Sequence, residues 1–492
     1  YGLGEAGEGK NITHQQKKLN DEELREFRAR FGIPIADSEV GDAPFYRPPE
    51  DSPEMRYLRE RRAALGGSIP ERRIQVGPIE PPTSKVFDDL TAQSVGRDVS
   101  TTMIFVRLLS QLLKDKNIGD LIVPIVPDEA RTFGMESLFR QVGIYSHIGQ
   151  RYEPVDRESL LYYKEATDGQ ILEEGITEAG SMASFIAAGT AYATHGVNTI
   201  PFFIFYSMFG FQRIGDLIWA AGDMRARGFM LGATAGRTTL AGEGLQHQDG
   251  HSHLLAMAHP NVIAYDPAYA YEIATIIREG IDRMYVDQIP AIYYLTLENE
   301  TYEMPDRPKG CEEGILKGMY ELSRGGAKRN APVLLGSGAI LNETLKAQRM
   351  LADEHGVDAA VWSVTSHQQL YREAIAVERE NRLHPTRKPK RSTVETALAH
   401  APVVVAASDY SKLLPSSLAQ WIPGRLASLG TDGFGRSEGR EELRDHFEVD
   451  ARHVVVATLH ALAQEGKVDA SKVQATLKAY DIDPQKIDPA TA

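Results

Sequence analysis

The hydrophobic pattern changes character twice along the chain. Residues 1–20 are rich in Gly, Lys, Asn and Gln and show no apolar period. A charged helix is predicted next, from Asp21, a candidate N-cap, to about Phe31. Residues 66–86 contain Gly66-Gly67, Pro70, Pro78, Pro81 and Pro82, a linker composition that sets a first domain boundary. Beyond it, short apolar runs alternate with helical periods. Ser100-Thr101 is placed to cap a helix reaching about residue 116. Residues 121–126, 202–206 and 229–232 are runs of buried-strand type. The longest such stretch, 200–211, reads as one buried strand and is too short to cross a membrane. Asp266-Pro267 opens a helix on which Ile273, Ile276, Ile277, Ile281 and Met284 share one face.

A polar, Pro-containing stretch at 298–314 separates this region from a smaller repetition of the same alternation. Residues 333–335, 359–362 and 403–405 are strands, and 341–355 is a helix ending at Gly356, a natural C-cap. Val454 to Val456 lead into the last packed element. Strands alternating with helices predict an α/β fold of parallel sheets flanked by helices. The breaks divide the chain into residues 1–77, 78–307 and 308–492.

Composition narrows the class. A hydrophobic content of 42% and a charged content of 25% fit an ordinary soluble globular chain. A formal charge of −14 argues against general nucleic-acid binding. Cys311 is the single cysteine, so an internal disulfide and a cysteine-rich zinc site are excluded, in keeping with a reducing cytoplasm. The chain opens at Tyr1 without a Met or a signal-peptide pattern, which suggests a fragment or a processed start.

Several segments have the residue types for chemistry. Glu178 precedes the small-residue run Gly180 to Ser184, the pattern of a first turn in a buried helix. On local grounds its carboxylate is an N-terminal charge partner. The aromatics from 202 to 209 read as core, although a flat ring ligand also seeks such faces. His247, His251 and His253 invite a metal reading, but Asp249-Gly250 suggests a turn and no H-E-x-x-H helix is present. No metal ligand is assigned. Asp128 and Glu129 follow a buried strand, where parallel sheets gather ligands, and Asp128 reads equally as a helix cap. His14 is a lone loop histidine. Gly2-Leu-Gly4-Glu-Ala-Gly7 fits G-x-G-x-x-G formally, but no strand precedes it, and it reads as a mobile loop. The basic run 387–391 reads as a solvated loop, or as a dock for an acidic partner.

Five segments taken together carry a resemblance. They are Asn11-Ile-Thr-His14, Asp128-Glu-Ala-Arg-Thr-Phe-Gly-Met135, Glu174-Gly-Ile-Thr-Glu178, Tyr206-Ser-Met-Phe-Gly-Phe-Gln-Arg213 and Leu245-Gln-His-Gln-Asp-Gly-His-Ser-His253. The chain resembles the thiamin-diphosphate-dependent E1 component of the pyruvate dehydrogenase complex in its bacterial homodimeric form, within the transketolase-like superfamily. That superfamily's diphosphate-anchoring Gly-Asp-Gly…Asn motif is missing. Gly430-Thr-Asp432-Gly-Phe-Gly435 is no substitute, because no Asn follows Asn381; it resembles instead a signature of the small transketolase-like C-terminal domain, serving folding and dimer packing.

The resemblance implies a fold and a set of roles. Residues 1–77 would be the tail of a diphosphate-binding domain with a mobile loop, 78–307 a pyrimidine-binding domain, and 308–492 the C-terminal domain. Glu178 would hydrogen-bond N1′ of the aminopyrimidine and favour its imino tautomer, burial raising the carboxyl pKa toward the working range. Phe209 would stack on that ring, with Tyr206, Ile176, Asp128 and Glu129 beside it. His247 would act as acid/base in the substrate pocket, with His251 and His253 structural. His14 would close over the site and assist acetyl transfer to lipoyl, and a second mobile segment would span 148–164. The implied cofactors are thiamin diphosphate and Mg2+, the latter's ligands lying on the missing region. The implied partners are pyruvate, the E2 dihydrolipoyl acetyltransferase and a second copy of the chain. Another 2-oxo acid dehydrogenase, a transketolase-type enzyme and a non-catalytic scaffold are the competing readings.

Overall fold

The computed structural model describes residues 7–15, 18–67, 74, 76–127, 130–155 and 163–492. The chain forms two compact units, Tyr1–Arg73 and Ile74–Ala492.

In the first unit the helix Asp21–Phe31 is present, but its cap is Asn20 rather than Asp21. The Asn20 side chain accepts from the Glu23 N–H at 2.9 Å, and the Glu23 carboxylate accepts from the Asn20 N–H at 2.7 Å. A second helix, Pro53–Ala64, has Ser52 as its cap and no buried residue, so no apolar period betrayed it. Residues Asn11–Gln15, expected as loop, form a short 3-10 turn.

Among the described residues the second unit is built on two large sheets, with two minor two-stranded pairs, Asp98–Val99 with Tyr302–Glu303 and Ile144–Tyr145 with Glu165–Ala166. The larger has six parallel strands: β1 Ile122–Val126, β2 Leu172–Glu173, β3 Ile200–Phe205, β4 Gly228–Ala233, β5 Val262–Tyr265 and β6 Ile292–Leu297. Their spatial order is β2-β1-β3-β4-β6-β5. Every residue of β3, β4, β5 and β6 is buried, because helices cover both faces and leave no polar side to alternate with. Phe202 and Ile204 pack on one face with Leu108 and Ile276. Phe203 and Phe205 pack on the other with Phe185 and Ile218.

Two expectations for this region need correcting. The run 200–211 is not one strand: β3 ends at Phe205, a 3-10 turn spans Ser207–Phe209, and a helix Phe211–Asp223 follows. Gly210 permits the reversal, since a Cβ there would come within 2.4 Å of the Phe205 ring. The helix expected from Asp266 begins at Ala270. Asp266 does not cap it; its carboxylate accepts from the Thr296 hydroxyl at 2.7 Å.

The smaller sheet comprises β7 Tyr320–Ser323, β8 Val333–Gly336, β9 Ala360–Ser363, β10 Val403–Ala407 and β11 Arg425–Leu429. Their order is β7-β9-β8-β10-β11, and only the edge strand β7 runs antiparallel. The helix Ile340–His355 stops at Gly356 with φ 65°, as its sequence predicts. Val454 to Val456 lie within the helix Ala451–Gln464. Glu272 ties the two sheets together: its buried carboxylate accepts from Tyr320 and Ser363, each at 2.7 Å.

Asp450 caps Ala451–Gln464, accepting from the His453 backbone at 2.9 Å and from its imidazole Nδ1 at 2.8 Å. Burial pushes the Asp450 carboxyl up, but the bonds from His453 and Arg452 outweigh it and hold the group at about 2 rather than 3.8. A depressed carboxyl stabilises the fold fully above its unfolded value and loses that contribution as pH falls through the folded value. Acid unfolding between pH 3.8 and about 2 is therefore expected to draw on Asp450. Asp450→Asn should flatten the pH dependence of urea stability in that window; an unchanged slope would contradict the assignment.

Candidate active site

β1 connects to β2 on one side and β3 connects to β4 on the other, so the direction of winding reverses between the neighbouring strands β1 and β3. In open parallel sheets such a reversal opens a crevice at the carboxyl ends of the strands, and ligands bind there. The segments that leave β1, β2, β3 and β4 all carry predicted site residues or their neighbours.

Glu178 is the first residue of the helix Glu178–Thr194, which Thr177 caps by accepting from the Gly180 N–H at 3.1 Å. Glu178 is 8% exposed. Its carboxylate lies 3.4 Å from the Arg213 guanidinium, which stacks over the Phe209 ring at 3.8 Å from the centroid. The Phe209 and His247 rings stand edge-on at 5.3 Å, and Tyr206 lies 5.0 Å from His247 and 6.0 Å from Phe209. Phe133, just after β1, reaches Tyr206 at 5.4 Å. One continuous contact chain thus joins a buried carboxylate, a guanidinium, two aromatic rings and an imidazole. Nδ1 of His247 is buried and has no hydrogen-bond partner among the described residues. Glu243 approaches it only to 3.9 Å. A buried, unpartnered ring nitrogen is costly unless a ligand satisfies it.

The other predicted residues fall as follows. Ile176 is 83% exposed just ahead of the Glu178 helix. His14 is exposed in the first unit's 3-10 turn. Asp128 and Glu129 lie outside the described residues, as do 156–162 of the expected mobile segment. His253 is buried, and burial pushes its imidazole down to about 4, opposed by Asp249. Its Nε2 meets the Thr296 hydroxyl at 2.9 Å, which is structural work. His251 instead contacts the Gln212 amide.

Sequence reasoning missed two parts. One is Arg213, inside a segment already singled out. The other is the anchorage of the loop after β4, which carries His247. Buried Asp409, just after β10, accepts from the backbone N–H and hydroxyl of Thr238 at 2.8 and 2.7 Å, and of Thr239 at 3.0 and 2.7 Å. Arg237 donates to the carbonyls of Thr431 and Gly433, and Gln248 accepts from the Arg436 N–H at 2.7 Å. The 430–435 segment therefore grips the loop that carries His247. No local sequence signal pairs residues so far apart.

Larger and smaller sheets with this topology and this crevice define a transketolase-like α/β protein. Solved transketolases share the fold: that of Campylobacter jejuni at a TM-score of 0.58 and 16% identity, over 89% of this chain and 58% of that one. That of Leishmania mexicana gives 0.54 and 15%, over 90% and 52%. The pyruvate dehydrogenase E1 component middle domain family matches residues 79–305, and the transketolase-like C-terminal domain family matches 318–450. The pyruvate dehydrogenase E1 component of Pseudomonas aeruginosa is 54% identical over 99% of this chain and 56% of its own length. That of Escherichia coli K12 is 49% identical over 100% of this chain and 56% of its own length. Over nearly its whole length the chain is thus similar to pyruvate dehydrogenase E1 components. It spans somewhat more than half the length of the curated relatives it matches.

Removing Asp409 leaves four donors without an acceptor in a buried place. Asp409→Ala is expected to cost about 3 kcal/mol or more and to raise amide exchange selectively over residues 238–251. Unaltered exchange in that loop would show that the carboxylate does not anchor it.

Proposed function

We propose that this chain provides the pyrimidine-side half of the active site in an E1 pyruvate dehydrogenase. That enzyme decarboxylates pyruvate and reductively acetylates lipoyl groups on the E2 acyltransferase. The observation carrying this reading is the contact chain of Glu178, Arg213, Phe209, His247 and Tyr206 at the crevice of the larger sheet. Thiamin diphosphate, when bound, supplies the electron sink that decarboxylation of a 2-oxo acid needs.

The residues present fit such a group. Glu178 offers a nearly buried carboxylate to a ring nitrogen. Phe209 and Tyr206 offer aromatic faces, and Ile176 an exposed apolar side chain next to Glu178. His247, edge-on to both rings, is proposed to exchange a proton with a pyruvate-derived group. By the family resemblance alone, Asp128 and Glu129 are proposed to contribute beside the aminopyrimidine. His14, on its turn, is proposed to close over the loaded site and assist acetyl transfer. No Gly-Asp-Gly…Asn motif occurs in this chain, so the diphosphate and Mg2+ ligands are assigned to another segment of the enzyme. Residues 1–77 are then the tail of that diphosphate domain, 78–307 the pyrimidine domain and 308–492 the C-terminal domain. Two copies of the complete enzyme would then complete each other's sites in a cytoplasmic homodimer.

In the complete enzyme, Glu178→Gln is expected to slow C2 hydrogen–deuterium exchange of the cofactor by about 100- to 10,000-fold, with the fold intact by circular dichroism. Wild-type exchange would sink this role for Glu178. His14→Ala should preserve pyruvate decarboxylation, followed with an artificial electron acceptor, while lipoyl acetylation falls. Equal loss of both would show that His14 does not divide the labour in this way.

A further inference from the structure

The smaller sheet has a cavity of its own, of about 310 Å3. It opens at the amino ends of β8 and β9, whose first residues, Val333 and Ala360, are part of its wall. No residue of the crevice described above lines it. Ala401 and Trp362 add to the apolar floor, and the rim carries Arg324, Lys328, Arg329 and His400. Arg324 is neutralised within the rim, donating through Nε to Glu321 at 2.9 Å and through Nη2 to the same carboxylate at 2.5 Å. Lys328 and Arg329 have no carboxylate partner among the described residues. Arg329 Nη2 lies 2.5 Å from His400 Nε2. A guanidinium can only donate, so this nitrogen of His400 is the acceptor, and the neutral imidazole orients the arginine without cancelling its charge. The indole N–H of Trp362 donates to no protein group among the described residues.

On a chain of net charge −14, two unpaired cations over an apolar floor are a local reversal of sign. Concave sites of about 300 Å3 and larger, mostly apolar with a few convergent polar groups, take small organic ligands. Lysine and arginine together favour a dianionic head group, and the tryptophan favours a planar or apolar body. We propose that this cavity binds a small phosphomonoester, its phosphate at Lys328 and Arg329 and its organic part against Trp362. The site belongs to the C-terminal domain alone and does not depend on the E1 reading of the crevice.

The test is calorimetry on the 492-residue chain with three probes: inorganic phosphate, glycerol phosphate and AMP. Saturable binding of AMP tighter than that of inorganic phosphate, with quenching of tryptophan fluorescence, is expected. Lys328→Gln and Arg329→Gln should each weaken it about tenfold, and Trp362→Leu should erase the preference of AMP over glycerol phosphate. Both cations are exposed, so their variants should keep the wild-type unfolding midpoint. Absence of binding by all three probes would overturn the proposal. So would binding that the Lys328 and Arg329 variants leave unchanged.

Discussion

The carboxylate of Asp409 is the constraint on which the rest of the site depends. It is buried and accepts four hydrogen bonds, two from Thr238 and two from Thr239. Hydrogen bonds to a charged group stabilise by about 1.5–3 kcal/mol each, and a buried charge is tolerable only when its lone pairs are satisfied in this way. The consequence is positional. The segment after β4 is long and lacks regular structure until Ser252, yet it must present His247 to the rings of Tyr206 and Phe209. Anchored at one end by Asp409 and at the other by the Gln248–Arg436 contact, it becomes a fixed wall of the crevice. The smaller sheet is therefore not an appendage of the larger one; it supplies the grip that fixes the imidazole.

The remainder of the crevice follows from topology. Parallel strands deliver their carboxyl ends to one edge, and the reversal between β1 and β3 separates the helices that would otherwise close it. Glu178 begins one helix and Arg213 lies in the first turn of another, so short, rigid connections set both groups. Placing Glu178 at a helix N-terminus also supplies a favourable backbone field for its charge. Arg213 adds an ion pair at 3.4 Å, and its stacking on Phe209 holds that ring in register with the carboxylate.

Much of this was legible in the sequence, and the failures have physical reasons. Strands buried on both faces write themselves as continuous apolar runs, so β1, β3, β4, β8, β9 and β10 were readable. Run length alone overshot β3, because Gly210 and the aromatic turn before it continue the same apolar composition while the backbone reverses. The helix Pro53–Ala64 was invisible because it buries nothing. Glu178, Tyr206, Phe209 and His247 were identified from their segments and prove to be neighbours, with Arg213 completing the contact. The roles of Asp409 and Arg237 were not readable, because their partners lie more than 150 residues away and no pattern of period or composition links them.

The central claim is that the chain holds one half of a cofactor site whose other half lies elsewhere in the enzyme. Calorimetric titration of thiamin diphosphate with Mg2+ tests it most directly, on this chain alone and on the enzyme at the full length of its relatives. Binding only to the full-length enzyme is the expected result. Tight binding to this chain alone, or no binding to either, would contradict the claim.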